Sequence, residues 1–143
     1  MIYRLSQIIS TLLYLGYLPF SASLASLPAL FIILQPQFNI SQLLLLVLLA
    51  TIFSDIFSRQ LKQPDPKFII IDELVGQLTA FSFILPTPVQ LFTAILLFRF
   101  FDLTKPGFIK TSQKLPGGIG IVVDDLLAGV LAGVATRIIF FFL

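Results

Sequence analysis

The acidic residues of this 143-residue sequence are few, and most of them occur as adjacent pairs. There are seven Asp and Glu residues in all, and four of them form the pairs Asp72-Glu73 and Asp124-Asp125. Each pair lies near the start of a long apolar segment, and Asp102 lies near the end of another. Adjacent carboxylates repel each other and are costly to desolvate, so such pairs need a cation nearby. They therefore predict a site for a hard, oxygen-seeking ion such as Mg²⁺.

The other residue types narrow the chemistry of such a site. The sequence has no histidine and no cysteine, which excludes thiolate nucleophiles, imidazole bases and most zinc sites. Arg99 and Lys105 stand on either side of Asp102 and are the available counter-charges. Because a hard metal ion can polarise phosphorus while Lys and Arg neutralise phosphate oxygens, this set of residues favours phosphoryl chemistry.

A glycine-rich segment precedes the last apolar stretch. Gly117, Gly118 and Gly120 lie where the chain enters that stretch. Backbone amides at the start of a helix can bind phosphate, so we predict Gly117 and Gly118 as phosphate-binding residues. A flexible turn between a loop and a helix is the alternative interpretation of the same glycines.

Composition places these residues in a membrane protein. Hydrophobic residues make up 57% of the chain and charged residues 11%, which is too little polarity for a soluble domain. Four apolar regions are long enough to span a bilayer: Leu12–Leu34, Ile40–Phe57, Phe68–Leu103 and Ile119–Leu143. We expect an all-α fold, a polytopic helical bundle with about four to five spans, formed by a single membrane domain over residues 1–143.

Prolines and caps predict where the helices break. The first region, with Pro19 and Pro28, is either a broken helix or an interfacial segment followed by a span. Asn39 or Ser41 is expected to cap the second. The third region is too long for one span, and its Pro86–Pro88 segment predicts a turn between two antiparallel helices.

The basic residues predict the orientation. Polar loops at 58–67 and 104–120 carry most of the Lys and Arg, and a two-helix hairpin between them returns both loops to one side, which is predicted to be cytoplasmic. The two acidic pairs then lie at that face, together with Asp102 and Asp55. Arg137 is the exception, near the far end of the last span, where its side chain can reach the opposite interface. Gly129 and Gly133 in this span predict close helix packing.

Three segments together resemble the phosphatidylglycerophosphatase A family: IDELVG at 71–76, RFFDLTKP at 99–106 and GGIGIVVDDLLAG at 117–129. The resemblance implies a multi-pass enzyme of the bacterial inner membrane whose active site faces the cytoplasm. Such an enzyme uses Mg²⁺ to remove the terminal phosphate of phosphatidylglycerophosphate, which gives phosphatidylglycerol.

The resemblance also assigns roles to residues. Catalytic roles are implied for Asp72, Glu73, Asp102, Asp124 and Asp125, metal binding for Asp72, Glu73, Asp124 and Asp125, and phosphate contacts for Arg99 and Lys105. The P-G-T-x-G core that family members carry near the N-terminus is missing here, where Gly16-Tyr17-Leu18-Pro19 is followed by FSASLASLP. Ser21, Ser23 and Ser26 are the candidate replacements.

The sequence alone is compatible with other functions. The altered N-terminal segment is compatible with a degenerate, non-catalytic family member or one with another substrate. A small ion carrier or channel would also contain intramembrane acids. Its acids should then be spread across the thickness of the membrane, whereas here they are predicted to lie at one face. The expected partners are the phospholipid substrate and the bilayer, without nucleic acid, because the sequence has no run of basic residues. The oligomeric state is left open.

Overall fold

The computed structural model describes residues 1–142, which form helices joined by turns, with no strand in this range. The helices are α1 (Ile2–Ser10), α2 (Ser21–Leu24), α3 (Ser26–Ile33), α4 (Ile40–Leu61), α5 (Ile71–Phe81), α6 (Pro88–Thr104), α7 (Gly107–Ser112) and α8 (Gly118–Phe142), with a 3₁₀ turn at Leu15–Tyr17. The predicted all-α class is confirmed.

Two helices have the length and composition of membrane spans. The 22 residues of α4 and the 25 residues of α8 both exceed the roughly 20 that cross a hydrocarbon core. With 11 and 17 residues, α5 and α6 are shorter. Length and composition thus support two membrane-length helices, and the larger number of spans stays a prediction.

The first apolar region is broken into short pieces, as one of the two sequence interpretations expected. Leu12, Leu13 and Tyr14 all have positive φ angles and end the helical path of α1. The following turn packs against the segment that leads into α5, because a Cβ on Gly16 would lie 2.0 Å from the Phe68 carbonyl oxygen. The chain therefore needs glycine at this position.

Helix α4 begins as predicted and ends later than predicted. The Asn39 side chain accepts hydrogen bonds from the Ser41 and Gln42 amides, and the Gln42 side chain accepts one from the Asn39 amide. The helix continues to Leu61 and stops at Lys62, which has a φ of 53°. The prediction of a loop from residue 58 was wrong for four residues, because polar side chains at the end of a span do not interrupt the backbone hydrogen bonds.

The predicted hairpin is present as α5 and α6. The Thr87 side chain accepts a hydrogen bond from the Gln90 amide, and Pro88 takes the first helical position, where its missing N–H has no cost. Helix α7 was not predicted, and it lies inside the polar segment 104–120. With six residues, this helix is too short to show an apolar period.

Helices α5 and α8 pack against each other through glycine, as Gly129 and Gly133 predicted. A Cβ on Gly129 would lie 2.1 Å from the Gly76 carbonyl oxygen, and one on Gly133 would lie 2.6 Å from the Ala80 carbonyl oxygen. Real Cβ atoms do not approach so closely, so the two backbones are in direct contact. This contact holds the start of α5 beside the start of α8.

Candidate functional site

A cavity of about 460 Å³ lies where α5 and α8 begin and α6 ends. Its lining contains all five predicted catalytic acids and both predicted basic residues: Asp72, Glu73, Asp102, Asp124, Asp125, Arg99 and Lys105. The residues predicted from three separate motifs therefore line a single cavity. We call this space the acidic cavity.

Helix ends set the position of each acid in the acidic cavity. Asp72 and Glu73 occupy the first turn of α5, where the positive end of the helix dipole stabilises carboxylates. Asp124 and Asp125 lie in the second turn of α8. Asp72 is 8% exposed, and Asp124 and Asp125 are each 4% exposed. Carboxylates so little exposed require compensating charge or hydrogen bonds.

Two cations partly compensate these acids through Asp102 and Asp124. Arg99 donates to Asp102 Oδ2 at 3.0 Å, and Lys105 donates to Asp124 Oδ2 at 2.6 Å. Lys105 Nζ also lies 3.8 Å from Asp102 Oδ1. Gln113, from the segment after α7, donates its amide to Asp124 Oδ2 at 2.9 Å. Asp102 thus holds Arg99 and Lys105 on the same wall of the cavity.

The pKa of Lys105 shows the net result of these contacts. Burial by itself lowers the pKa of its ammonium group, and the hydrogen bond and negative charge of Asp124 raise it. Together with the negative charges of Asp125 and Asp102, these contacts outweigh burial, so the pKa of Lys105 lies above its ordinary value. Lys105 is therefore a permanent positive charge at neutral pH.

Four buried carboxylate oxygens of the acidic cavity have no hydrogen-bond partner. One side-chain oxygen each of Asp72, Glu73, Asp124 and Asp125 is buried and makes no hydrogen bond. A buried carboxylate oxygen in this state is costly unless a cation or water contacts it. These four residues are the predicted metal ligands.

The donor set suits Mg²⁺ held together with a ligand. No three acidic residues among residues 1–142 are already close enough together to form a metal cage. Mg²⁺ commonly binds one or two carboxylates and completes its shell with waters and phosphate oxygens. The residues that carry these unpaired oxygens lie near the starts of α5 and α8 and line the same cavity, which fits this mode of binding.

Sequence reasoning missed some residues of the acidic cavity. Asp65 lies in the predicted loop at 58–67 and was not predicted as a site residue, yet it lines the cavity together with Lys67 and Ser21. Its position seven residues before Asp72, between Pro64 and Pro66, was the available signal. Ser21 is one of the predicted replacements for the altered N-terminal segment; it lines the cavity, and its role there stays a prediction.

Gly117 and Gly118 occupy a different environment from the one predicted. The Gly118 amide donates to Asp55 Oδ1 at 3.0 Å, and Arg59 Nε lies 2.9 Å from Asp55 Oδ2. Gly117 has a φ of 61°, and a Cβ there would lie 2.1 Å from Asp55 Oδ1. Gly117 lines a separate cavity of about 630 Å³ together with Arg59 and Gln113.

We call the contact of Asp55 with Gly118 and Arg59 the Asp55 clasp. It fixes the start of α8 to α4, and it uses the Gly118 amide that was predicted to receive phosphate. The phosphate-binding role of the two glycines therefore stays a prediction, and the geometry gives them a structural role.

The fold and the acidic cavity define a class of protein, namely an all-helical protein with membrane-length apolar helices and a buried carboxylate site at one end. Residues 8–140 match the family Phosphatidylglycerophosphatase A, and the chain belongs to this family. The resemblance drawn from the three motifs is thereby confirmed.

Two curated relatives align with part of the chain. Phosphatidylglycerophosphatase A of Haemophilus influenzae is 41% identical over 66 residues, which cover 45% of this chain and 40% of the relative. A Bacteroides thetaiotaomicron protein, provisionally named phosphatidylinositol-3-phosphatase, is 35% identical over 72 residues, which cover 46% of this chain and 43% of the relative. The chain thus spans less than half the length of either relative. No solved structure gives a significant match.

Proposed function

We propose that this protein is a Mg²⁺-dependent phosphatase that hydrolyses the terminal phosphate of phosphatidylglycerophosphate to give phosphatidylglycerol, in phospholipid biosynthesis. The observation that carries the proposal is the acidic cavity, whose lining combines Arg99 and Lys105 with the four residues that have an unpaired carboxylate oxygen. Family membership supports the substrate class. A cavity that combines oxygen ligands with fixed cations is suited to bind a metal ion and a phosphate together.

The proposal includes a membrane arrangement. We infer a multi-pass protein of the bacterial inner membrane, in which α4 and α8 cross the bilayer, the hairpin of α5 and α6 packs against them within it, and the acidic cavity faces the cytoplasm. The apolar character of α4 and α8 and the basic loops beside the cavity support this arrangement. The head group of the lipid enters from the cytoplasmic interface, and its acyl chains stay in the bilayer.

Each group of the acidic cavity has a role in the proposed reaction. Asp72, Glu73, Asp124 and Asp125 would hold Mg²⁺, which supplies Lewis-acid activation of the phosphate and of water. Arg99 and Lys105 contact the phosphate oxygens and stabilise the charge that develops on them. Asp102 orients both cations through its two oxygens.

The reaction itself is a hydrolysis. A carboxylate of the cavity accepts a proton from the attacking water, whose oxygen forms a new bond to phosphorus. The bond from phosphorus to the glycerol oxygen breaks, and this oxygen takes up the proton that the carboxylate accepted, so the products are inorganic phosphate and phosphatidylglycerol. All the protein groups required are carboxylates, Lys and Arg, in agreement with a sequence that lacks histidine and cysteine.

Phosphate release from phosphatidylglycerophosphate by the purified protein in detergent, with and without Mg²⁺, tests the proposal. We expect release that depends on Mg²⁺ and falls by about 100-fold or more in the double variant Asp72→Asn with Asp125→Asn. Asp55→Asn is the matched control, because it removes one carboxylate outside the acidic cavity and keeps an oxygen for the Gly118 amide. Undiminished release by the double variant would show that the metal site is elsewhere.

A second candidate substrate is phosphatidylinositol 3-phosphate. The name of the Bacteroides relative and the altered segment after Pro19 both favour its inclusion. The same assay with this lipid decides between the substrates, because the better one gives the larger kcat/KM. If neither lipid is hydrolysed with Mg²⁺ present, the chain is a non-catalytic family member. The carrier alternative is disfavoured, because the seven acids of the sequence lie at one end of the long helices.

A further inference from the structure

Arg137 lies in a second cavity, at the opposite end of the bundle from the acidic cavity. This distal cavity has a volume of about 410 Å³ and is formed by the end of α5, the start of α6 and the end of α8. Its polar lining is Arg137, Gln90 and Ser82, and its aromatic lining is Phe83, Phe140 and Phe141. A cation and an amide thus stand beside a largely aromatic wall.

The charge of Arg137 has no counterpart within the described chain. No acidic side chain of residues 1–142 pairs with it, and no Asp or Glu lines the distal cavity. The acids are all at the other end of the long helices. A guanidinium group beside a bilayer retains its charge, so an anion from outside the described residues has to balance it.

Gln90 supplies a second donor to the distal cavity. Its side-chain oxygen accepts a hydrogen bond from the Leu85 amide at 3.0 Å, and this bond fixes the orientation of the side-chain amide. A backbone N–H can only donate, so the oxygen of Gln90 faces Leu85 and the NH₂ group remains available to a ligand. A guanidinium and an amide donor suit the oxygens of a phosphate group.

The position of Arg137 along α8 places it at a bilayer surface. From Gly118 to Arg137 the helix rises about 28 Å, at roughly 1.5 Å per residue. This is close to the roughly 30 Å thickness of a hydrocarbon core. In the proposed membrane arrangement, on which this inference rests, Arg137 therefore lies at the lipid head groups of the leaflet opposite the acidic cavity.

We propose that the distal cavity binds an anionic phospholipid of the opposite leaflet, with its phosphate on Arg137 and Gln90 and its glycerol and acyl chains along the phenylalanines. An anionic lipid is favoured over a zwitterionic one, because the ammonium of a zwitterionic head group would find no carboxylate in this cavity. The bound lipid is not a substrate, since the distal cavity contains no acid and none of the predicted metal ligands.

Lipid-induced thermal stabilisation of the purified protein in detergent tests this site. Phosphatidylglycerol should raise the Tm of the unmodified protein, and phosphatidylcholine or inorganic phosphate at equal concentration should raise it much less. In Arg137→Gln the phosphatidylglycerol concentration for half-maximal stabilisation should increase about tenfold or more, as expected for a lost charge-assisted phosphate contact. Arg59→Gln is the control, because it removes an arginine that lines neither the acidic cavity nor the distal cavity and should leave this stabilisation in place.

Gln90→Glu provides a second, independent test. Glutamate keeps the oxygen that accepts from Leu85 and gives Arg137 an internal counter-ion, so the stabilisation by phosphatidylglycerol should be lost without loss of fold. Equal stabilisation of Arg137→Gln, of Gln90→Glu and of the unmodified protein would overturn the proposal, as would equal effects of phosphatidylcholine or of phosphate alone. The measurement requires no catalysis, so its outcome is independent of the phosphatase assay.

Discussion

Because of the Asp55 clasp, we expect Asp55, which lies outside the acidic cavity, to affect the position of α8, the helix that carries Asp124 and Asp125. Asp55→Ala removes the acceptor of the Gly118 amide and leaves the first turn of α8 uncapped. Asp124 and Asp125 follow in the next turn, so we expect their carboxylates to lose their fixed position. The variant should unfold more easily and should need more Mg²⁺ for half-maximal phosphate release.

The size of the effect follows from the contacts. A helix cap contributes about 1 kcal/mol, and a hydrogen bond to a charged acceptor about 1.5–3 kcal/mol, so Asp55→Ala should cost about 1.5–3 kcal/mol. Arg59 contributes little, because its side chain is 77% exposed and exposed ion pairs contribute about 0–1 kcal/mol. Asp55→Asn keeps the acceptor oxygen and should cost less than Asp55→Ala.

The assay is unfolding in mixed micelles, followed by circular dichroism because the chain has no Trp. The expected order of destabilisation is Asp55→Ala, then Asp55→Asn, then Arg59→Ala. If Arg59→Ala were as destabilising as Asp55→Ala, the ion pair rather than the cap would hold α8. If all three matched the unmodified protein, the clasp would have no energetic role.

Three further predictions concern packing, pH and orientation. Gly129→Ala should lower the Tm, because its Cβ would meet the α5 backbone, whereas Gly107→Ala should not, because nothing lies within 4 Å of that position; equal Tm values would contradict the packing. The raised pKa of Lys105 means that its pair with Asp124 stabilises the fold below the usual lysine pKa of about 10.4 and is lost only as the pH rises through the higher folded value. The Tm difference between Lys105→Gln and the unmodified protein should thus be constant from about pH 7 to about pH 10 and shrink above that range; a difference that disappears near neutral pH would refute it. A cysteine at Gln113 should react with a membrane-impermeant reagent only from the cytoplasmic side, and labelling from outside would reverse the proposed orientation.

Local patterns predicted helices α4, α5, α6 and α8 and the acids that their ends carry, but not α1 or α7. Pro88 and the Asn39 cap mark helix starts through their own chemistry, and the glycines of α8 mark a close contact. The Asp55 clasp was not predictable, because Asp55 and Gly118 are 63 residues apart and only the tertiary fold brings them together. The place of Asp65 in the acidic cavity was missed for a different reason: a loop residue shows no periodicity that indicates its direction, and only its closeness along the chain to Asp72 pointed to a shared site.

The glycine contact between α5 and α8 has a consequence for how this site tolerates sequence change. The two halves of the predicted metal site stand on these helices, and Gly129 meets the Gly76 carbonyl oxygen directly. The distance between the halves is therefore set by the radii of backbone atoms rather than by the sizes of side chains. Exchanges of apolar side chains away from this contact are thus expected to change the stability of the fold more than the width available to an ion and its phosphate ligand.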